Sequence, residues 1–180
     1  GDVIIDSVGN NTIYSTIDYK SSRFVGKVEL IGSNNIQVVG SDGASVLSGN
    51  AGANRINGGK GNDNLFGGAG KDSFVFDSAI GTWRTNPKVN LDRIQDFTVK
   101  QDKLLLDNAI FKKLGSKTGK LKADFFKAGG KATDNNDYLV LSKNKKSLSY
   151  DKDGLGGGKA VEIIKFDKAV NLTAADIWVI

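Results

Sequence analysis

The sequence has no cysteine, no histidine and no methionine, and a single proline in 180 residues. Without cysteine there are neither disulfides nor thiolate metal sites. Without histidine the HExxH zinc-protease motif, the Ser-His-Asp triad and most transition-metal sites are excluded. No apolar run approaches the length needed to cross a bilayer, and the opening residues do not read as a signal peptide. The missing methionine, with strand-like alternation starting at once in GDVIIDSVGNNTIYSTIDY, leads us to expect a fragment or processed piece of something longer. Two motif matches fail on inspection. A phosphate loop at GAGKD would need glycine where Leu65 stands and Ser or Thr where Asp72 stands. Asp151, Asp153 and Gly154 lack the remaining spacing and the twelfth-position Glu of an EF-hand loop. An enzyme made from these residues would have to work with carboxylates alone, so no catalytic residue is expected.

Glycine, by contrast, is abundant, and it is periodic. Residues 49–57 (GNAGANRIN), 58–66 (GGKGNDNLF) and 67–75 (GGAGKDSFV) are three consecutive nonapeptides with Gly first and fourth, Asp or Asn sixth and a large apolar residue eighth. That is the G-G-x-G-x-D-x-U-x signature of a calcium-binding parallel β-roll. Six residues make a turn in which glycine adopts backbone angles costly to other residues, and three make a short strand whose central side chain points inward. Successive turns alternate sides, so turns two repeats apart stack. Read backwards, the register continues through 40–48 and 31–39, keeping Leu47 and Val38 inward while the sixth position decays to Ser45 and Ile36. The core stripe outlasts the ligands, and the earlier coils are expected to be roll structure with weak or absent metal sites. Asp63 and Asp72 are the leading calcium ligands, with Asn54 a neutral third.

Three regions are expected: N-terminal strands and degenerate coils over 1–39, the calcium-binding roll over 40–77, and a C-terminal cap over 78–180. Strands are expected near 2–6, 12–19 and 27–31, with the aromatics of FVFD at 74–77 plugging the end of the roll. After a polar loop over 78–90, residues 91–107 read as two strands around a turn. Short helical turns follow near 109–114 and 123–128, then strands at 138–142, 147–150 and 161–166 in an antiparallel meander. A helical turn at 172–176 and a strand at 177–180 close the chain. The fold class is therefore all-β: a right-handed parallel β-roll with an antiparallel cap carrying short helical turns. Charge is uneven, with sixteen lysines against ten acidic residues from Lys100 onward. That excess reads either as a solvated face or as a patch for a polyanion such as acidic polysaccharide or lipopolysaccharide. Nucleic acid is not expected, because the excess is Lys without an Arg-aromatic stacking pattern.

These segments together resemble the carboxy-terminal part of RTX (repeats-in-toxin, haemolysin-type calcium-binding) proteins. The resemblance covers roughly residues 28–180 and includes GGAGKDSFVFD, LDRIQDF, QDKLLLD, LSYDKDGLGGG and LTAADIWVI. It is specific for the family and says little about activity, since such ends are attached to unrelated cargoes. The family pattern implies carbonyls at the second and fourth positions of an earlier turn, and at the first and third of a later one, beside the sixth-position side chains. Carried over, Asn50, Gly52 and Asn54 face Gly67, Ala69 and Asp72, and a second site uses Gly59, Gly61 and Asp63. The turn that should close the second site is not a repeat; Asp92 is the first choice to close it and Asp102 the second. A third site would pair Ser41, Gly43 and Ser45 with Gly58, Lys60 and Asp63, weakened by Ser45. Asp96 is expected to be structural, while Asp151 and Asp153 form either a small calcium site or a polar hairpin turn. The resemblance further implies a non-catalytic module of a secreted, extracellular or cell-surface protein, with a type I secretion signal in the AADIWVI tail. Its partners would be the type I machinery and an upstream cargo domain of the same polypeptide. The alternative is an adhesin or carbohydrate-binding module contacting anionic polysaccharide through its Lys-rich half.

Overall fold

A computed structural model of the chain describes residues 3–5, 12–21 and 25–180, so the expected strand at 2–6 lies partly outside the described residues. The strands of the first half are β1 (Val3–Ile5), β2 (Thr12–Ser15), β3 (Tyr19–Lys20), β4 (Lys27–Leu30), β5 (Gln37–Val39), β6 (Val46–Ser48), β7 (Arg55–Asn57), β8 (Asn64–Phe66) and β9 (Ser73–Phe76). A one-turn helix, α1 (Asn86–Val89), follows, with Pro87 in its first turn, where a missing N–H costs nothing. The second half adds β10 (Asp92–Ile94), β11 (Lys103–Leu106), β12 (Gly119–Lys120), β13 (Phe126–Ala128), β14 (Leu139–Leu141), β15 (Ser147–Tyr150), β16 (Val161–Phe166) and β17 (Ile177–Val179). Among the described residues three 3-10 turns, at Lys112–Leu114, Ala123–Phe125 and Ala174–Asp176, fall within the expected helical turns, but the turn expected over 123–128 ends at Phe125 and its second half is the strand β13.

From β2 to β11 successive strands alternate between two sheets. One runs β1-β2-β4-β6-β8-β10-β16-β15-β14-β13 and the other β12-β17-β11-β9-β7-β5-β3. Pairing from β2 through β10 to β16, and from β3 through β11 to β17, is parallel throughout. The protein is thus a parallel β-roll. Short strands suffice because each contributes one inward apolar side chain to a row shared with its neighbours. In the first sheet that row is Ile13, Val28, Leu47, Leu65, Ile94 and Phe166, paired residue to residue. In the second it is Tyr19, Val38, Ile56, Phe74, Leu104 and Ile177. All but Tyr19 are buried.

Three expectations are corrected by the structure. Phe74 and Phe76 do not plug the roll: β11 pairs with all four residues of β9, Val75 is buried as well as its neighbours, and β17 continues the sheet beyond. Residues 91–107 hold two strands that are not partners, because β10 enters one sheet and β11 the other. The C-terminal region is also mixed rather than wholly antiparallel. β14, β15 and β16 form the antiparallel meander, while β13 pairs β14 in parallel and β12 runs antiparallel to β17. An aromatic chain ties roll to cap, with Phe74 and Phe97 ring centres 6.0 Å apart and Phe97 and Phe166 5.6 Å apart.

Candidate metal centre

Alternating strands leave two stacks of turns, one along each edge of the roll. On one edge the stack is 40–45, 58–63 and the residues leading into Asp92. There the backbone N–H of Ser45 donates to Asp63 Oδ1 at 2.7 Å, and that of Asp63 to Asp92 Oδ1 at 3.0 Å. On the other edge the N–H of Asn54 donates to Asp72 Oδ1 at 2.8 Å, and that of Asp72 to Asp102 Oδ1 at 3.0 Å. Each carboxylate therefore holds the turn one layer before it, and all four are buried.

The second oxygens of Asp63 and Asp72 are different. Asp63 Oδ2 and Asp72 Oδ2 are buried and, among the described residues, have no hydrogen-bond partner. A carboxylate oxygen removed from water without a partner is costly to keep ionised. Burial accordingly pushes Asp72 up to about 7. Burial first, then the facing Asp92, raises Asp63, and burial raises both Asp92 and Asp102. A side chain on Gly58 or Gly67 would fall against those same orphaned oxygens, so the leading glycine of each turn keeps the space around them open. Gly59 and Gly61, and Gly68 and Gly70, have positive φ and pack against the carbonyl-bearing backbone of the turn before, at Ser41, Gly43, Asn50 and Gly52. Only glycine combines those angles with that approach.

This set fits a hard divalent cation, which takes six to eight oxygen ligands from carboxylates and carbonyls. Among the described residues no group of three acidic side chains forms a metal cage. Carbonyl oxygens must supply most of any ligand shell. Asn50, Gly52 and Asn54 lie in the turn stacked over that of Gly67, Ala69 and Asp72, whose N–H at Ala69 already donates to the Asn50 carbonyl at 3.2 Å. Gly59, Gly61 and Asp63 lie in the turn stacked on Asp92. Asp102 is not brought to Asp63: it stacks on Asp72, because β11 follows β9 in the second sheet.

In the earlier turns side chains bond carbonyls that a cation would otherwise use. The amide nitrogen of Asn54 donates to the carbonyls of Asn34 and Ile36 at 3.4 and 3.2 Å, and its oxygen accepts from Asn50 N–H at 2.7 Å. An amide thus closes the gap between the turns 31–36 and 49–54. The Ser45 hydroxyl likewise donates to the Gly43 carbonyl at 3.1 Å.

Asp96 accepts from the N–H groups of Gly67 and Gly68 at 2.8 and 2.9 Å, a clamp on the last repeat turn. Gln101, whose amide bonds the Gly70 carbonyl, and Asn62, which accepts from Leu91 N–H at 2.8 Å, are turn contacts that sequence reasoning missed. Asp153 accepts from Gly158 N–H at 2.9 Å and its own N–H donates to Asp151 at 3.3 Å, so this pair ties its own loop.

Burial gives the metal-free chain a pH dependence whose sign is set by the raised carboxylates. The folded state keeps protons that the unfolded chain has released above pH 4. Stability therefore falls as pH rises from about 4 to 7, the window between ordinary and raised values. Far-UV circular dichroism of the calcium-stripped chain should show less β structure at pH 8 than at pH 5, and with millimolar calcium the Tm should be the higher at pH 8.

Residues 39–74 match the model of the RTX calcium-binding nonapeptide repeat, in four copies. Among curated proteins nothing matches the chain.

Proposed function

From a chain that carries an RTX domain, whose repeats bind Ca²⁺, we propose a non-catalytic module whose folding is driven by extracellular calcium after type I export. RTX repeats belong to secreted proteins, and among the described residues no helix is long and apolar enough to cross a membrane. The observation that carries the reading is the pair of orphaned buried oxygens, Asp63 Oδ2 and Asp72 Oδ2, at the same position of successive repeats. Calcium, when bound, supplies the positive charge that these oxygens lack. Asp63 and Asp92 hold one edge in register through backbone N–H groups, and Asp72 and Asp102 the other. The glycines let carbonyls approach, and the apolar rows exclude water behind them. A site at ten times its Kd stabilises the folded state by about 1.4 kcal/mol, since the unfolded chain presents no assembled site. Extracellular modules bind with Kd on the order of 10⁻⁴–10⁻³ M, so scarcity of calcium inside the cell would leave the chain extended and fit for a channel.

The AADIWVI tail supports the same order of events. In the folded chain Ile177 and Val179 are buried in a strand flanked by β11 and β12. Asp176 accepts from Lys100 N–H at 2.9 Å and from Thr173 N–H and hydroxyl at 2.9 and 2.8 Å. A signal in this stretch would be readable before folding and hidden after it. The test is a calcium titration followed by far-UV circular dichroism, with magnesium as control. A coil-to-β transition at roughly millimolar calcium, absent with magnesium, is expected. A chain already fully folded after calcium removal at pH 8 would overturn the reading.

A further inference from the structure

We propose that an open cavity beside the roll binds a small organic anion with an apolar body, an acyl chain ending in a carboxylate, phosphate or sulfonate group. The cavity, about 760 Å³, lies between the loop at 80–84, the segment 110–113 and the hairpin that joins β15 to β16. That volume is within the range of small-molecule sites, roughly 300–1,000 Å³. Half-buried Ile80, Ile110 and Val161 and the ring of buried Tyr150 give it an apolar wall. Five exposed cations surround that wall: Arg84, Lys112, Lys113, Lys152 and Lys159. No carboxylate lines the cavity, and among the described residues none of the five cations forms an ion pair. Lys152 lies beside Asp153, whose carboxylate is held ionised by the Gly158 N–H and in smaller part by Lys152, and the other four cations remain without a carboxylate among the lining residues. A cationic cluster of this kind against apolar surface selects a negative head on an apolar tail.

The arrangement of Trp83 decides between an acyl anion and an acidic sugar. Arg84 lies 4.7 Å and Lys159 4.2 Å from the centre of the indole ring, so the aromatic holds cations near the cavity. A sugar stacking there would have to displace a cation from the ring. Neutral groups for sugar hydroxyls are few, being Thr82 and the Tyr150 hydroxyl, and the latter already accepts from Lys113 N–H at 3.0 Å. A ligand with one charge and no hydroxyls loses nothing at such a wall. The residues involved all lie outside the repeats at 39–74, so the inference stands apart from the calcium reading.

The test is isothermal titration of the full chain, in millimolar calcium, with octane-1-sulfonate below its micelle concentration. Binding with a Kd on the order of 1 mM or tighter is expected, as per-atom efficiencies of small ligands allow. Octyl glucoside, with the same tail and a neutral head, should bind at least about tenfold more weakly, the scale set by losing a charge-assisted hydrogen bond. The double variant Lys112→Ser with Lys159→Ser, both exposed, should lose a similar factor while keeping the parent circular dichroism spectrum. Absence of binding, equal binding of octyl glucoside, tighter binding of trigalacturonate, or unchanged affinity in the double variant would each overturn the proposal.

Discussion

Replacing Asp63 and Asp72 together by Asn is expected to cancel the effect of calcium removal: at pH 8 without calcium the variant should hold more β structure than the parent, and added calcium should no longer stabilise it. Each substitution keeps the shape and an acceptor for the turn above, at Ser45 and Asn54 N–H. Each removes a buried negative charge whose second oxygen has no partner. The new amide nitrogen has a precedent within the same roll, since that of Asn54 reaches the carbonyls of Asn34 and Ile36. Relief of an unsatisfied buried group is worth about 1–3 kcal/mol at each position. With calcium at ten times Kd, two lost sites forfeit about 2.8 kcal/mol of calcium-dependent stabilisation, roughly 6–11 °C of calcium-induced Tm shift in a chain of this size. Far-UV circular dichroism in EDTA measures the first arm, and calorimetry at rising calcium the second. A variant that keeps the parent's calcium shift would show that the ion is held elsewhere.

Phe74→Ala should lower stability by about 3–5 kcal/mol, the cost of deleting a buried aromatic and leaving its cavity. Phe74 is fully buried. It pairs with Ile56 on one side and Leu104 on the other. It also begins the aromatic chain through Phe97 to Phe166. Because both sheets run from repeats to cap without a break, the loss should lower one cooperative transition. Circular dichroism, reporting the whole chain, and indole fluorescence, reporting Trp83 and Trp178, should move together. Separate midpoints would mean that residues 40–77 and 78–180 fold as independent units.

The repeats were legible because period and chemistry coincide: Val38, Leu47, Ile56, Leu65 and Phe74 recur every nine residues, and all are fully buried. The next two coils kept the chemistry and lost the period. Asp92-Arg93-Ile94 and Asp102-Lys103-Leu104 repeat the acid-x-apolar triplet of Asp63-Asn64-Leu65 and Asp72-Ser73-Phe74. Insertion of the loop carrying α1 stretches their spacing from their partners, so periodicity ends while pairing does not. The triplet placed Asp92 over Asp63 but leaves open which edge Asp102 joins, since that depends on the sheet β11 enters. Asp96 and Gln101 were less legible still, because their partners are backbone groups of glycines some 30 residues away. The cationic cavity was visible only as a lysine excess, since its apolar wall comes from three separated segments.

The same continuity of the sheets imposes an order of assembly. Within the repeats each pairing closes a short loop, as from Leu47 to Leu65 or Ile56 to Phe74, 18 residues apart. The cap closes loops about four times longer, from Asp92 to Ile164 and from Leu104 to Ile177. Chain entropy charges about 1.2 kcal/mol more for each of these closures, two doublings of loop length. Local pairings also form faster than distant ones. The repeats are thus placed to zip first, each coil templating the next, and the cap strands add to an edge that already exists. The rate of reaching the folded state is then set by how long the nascent stack survives before β16 and β17 arrive. An ion that holds successive turns together acts on that lifetime as well as on the final equilibrium.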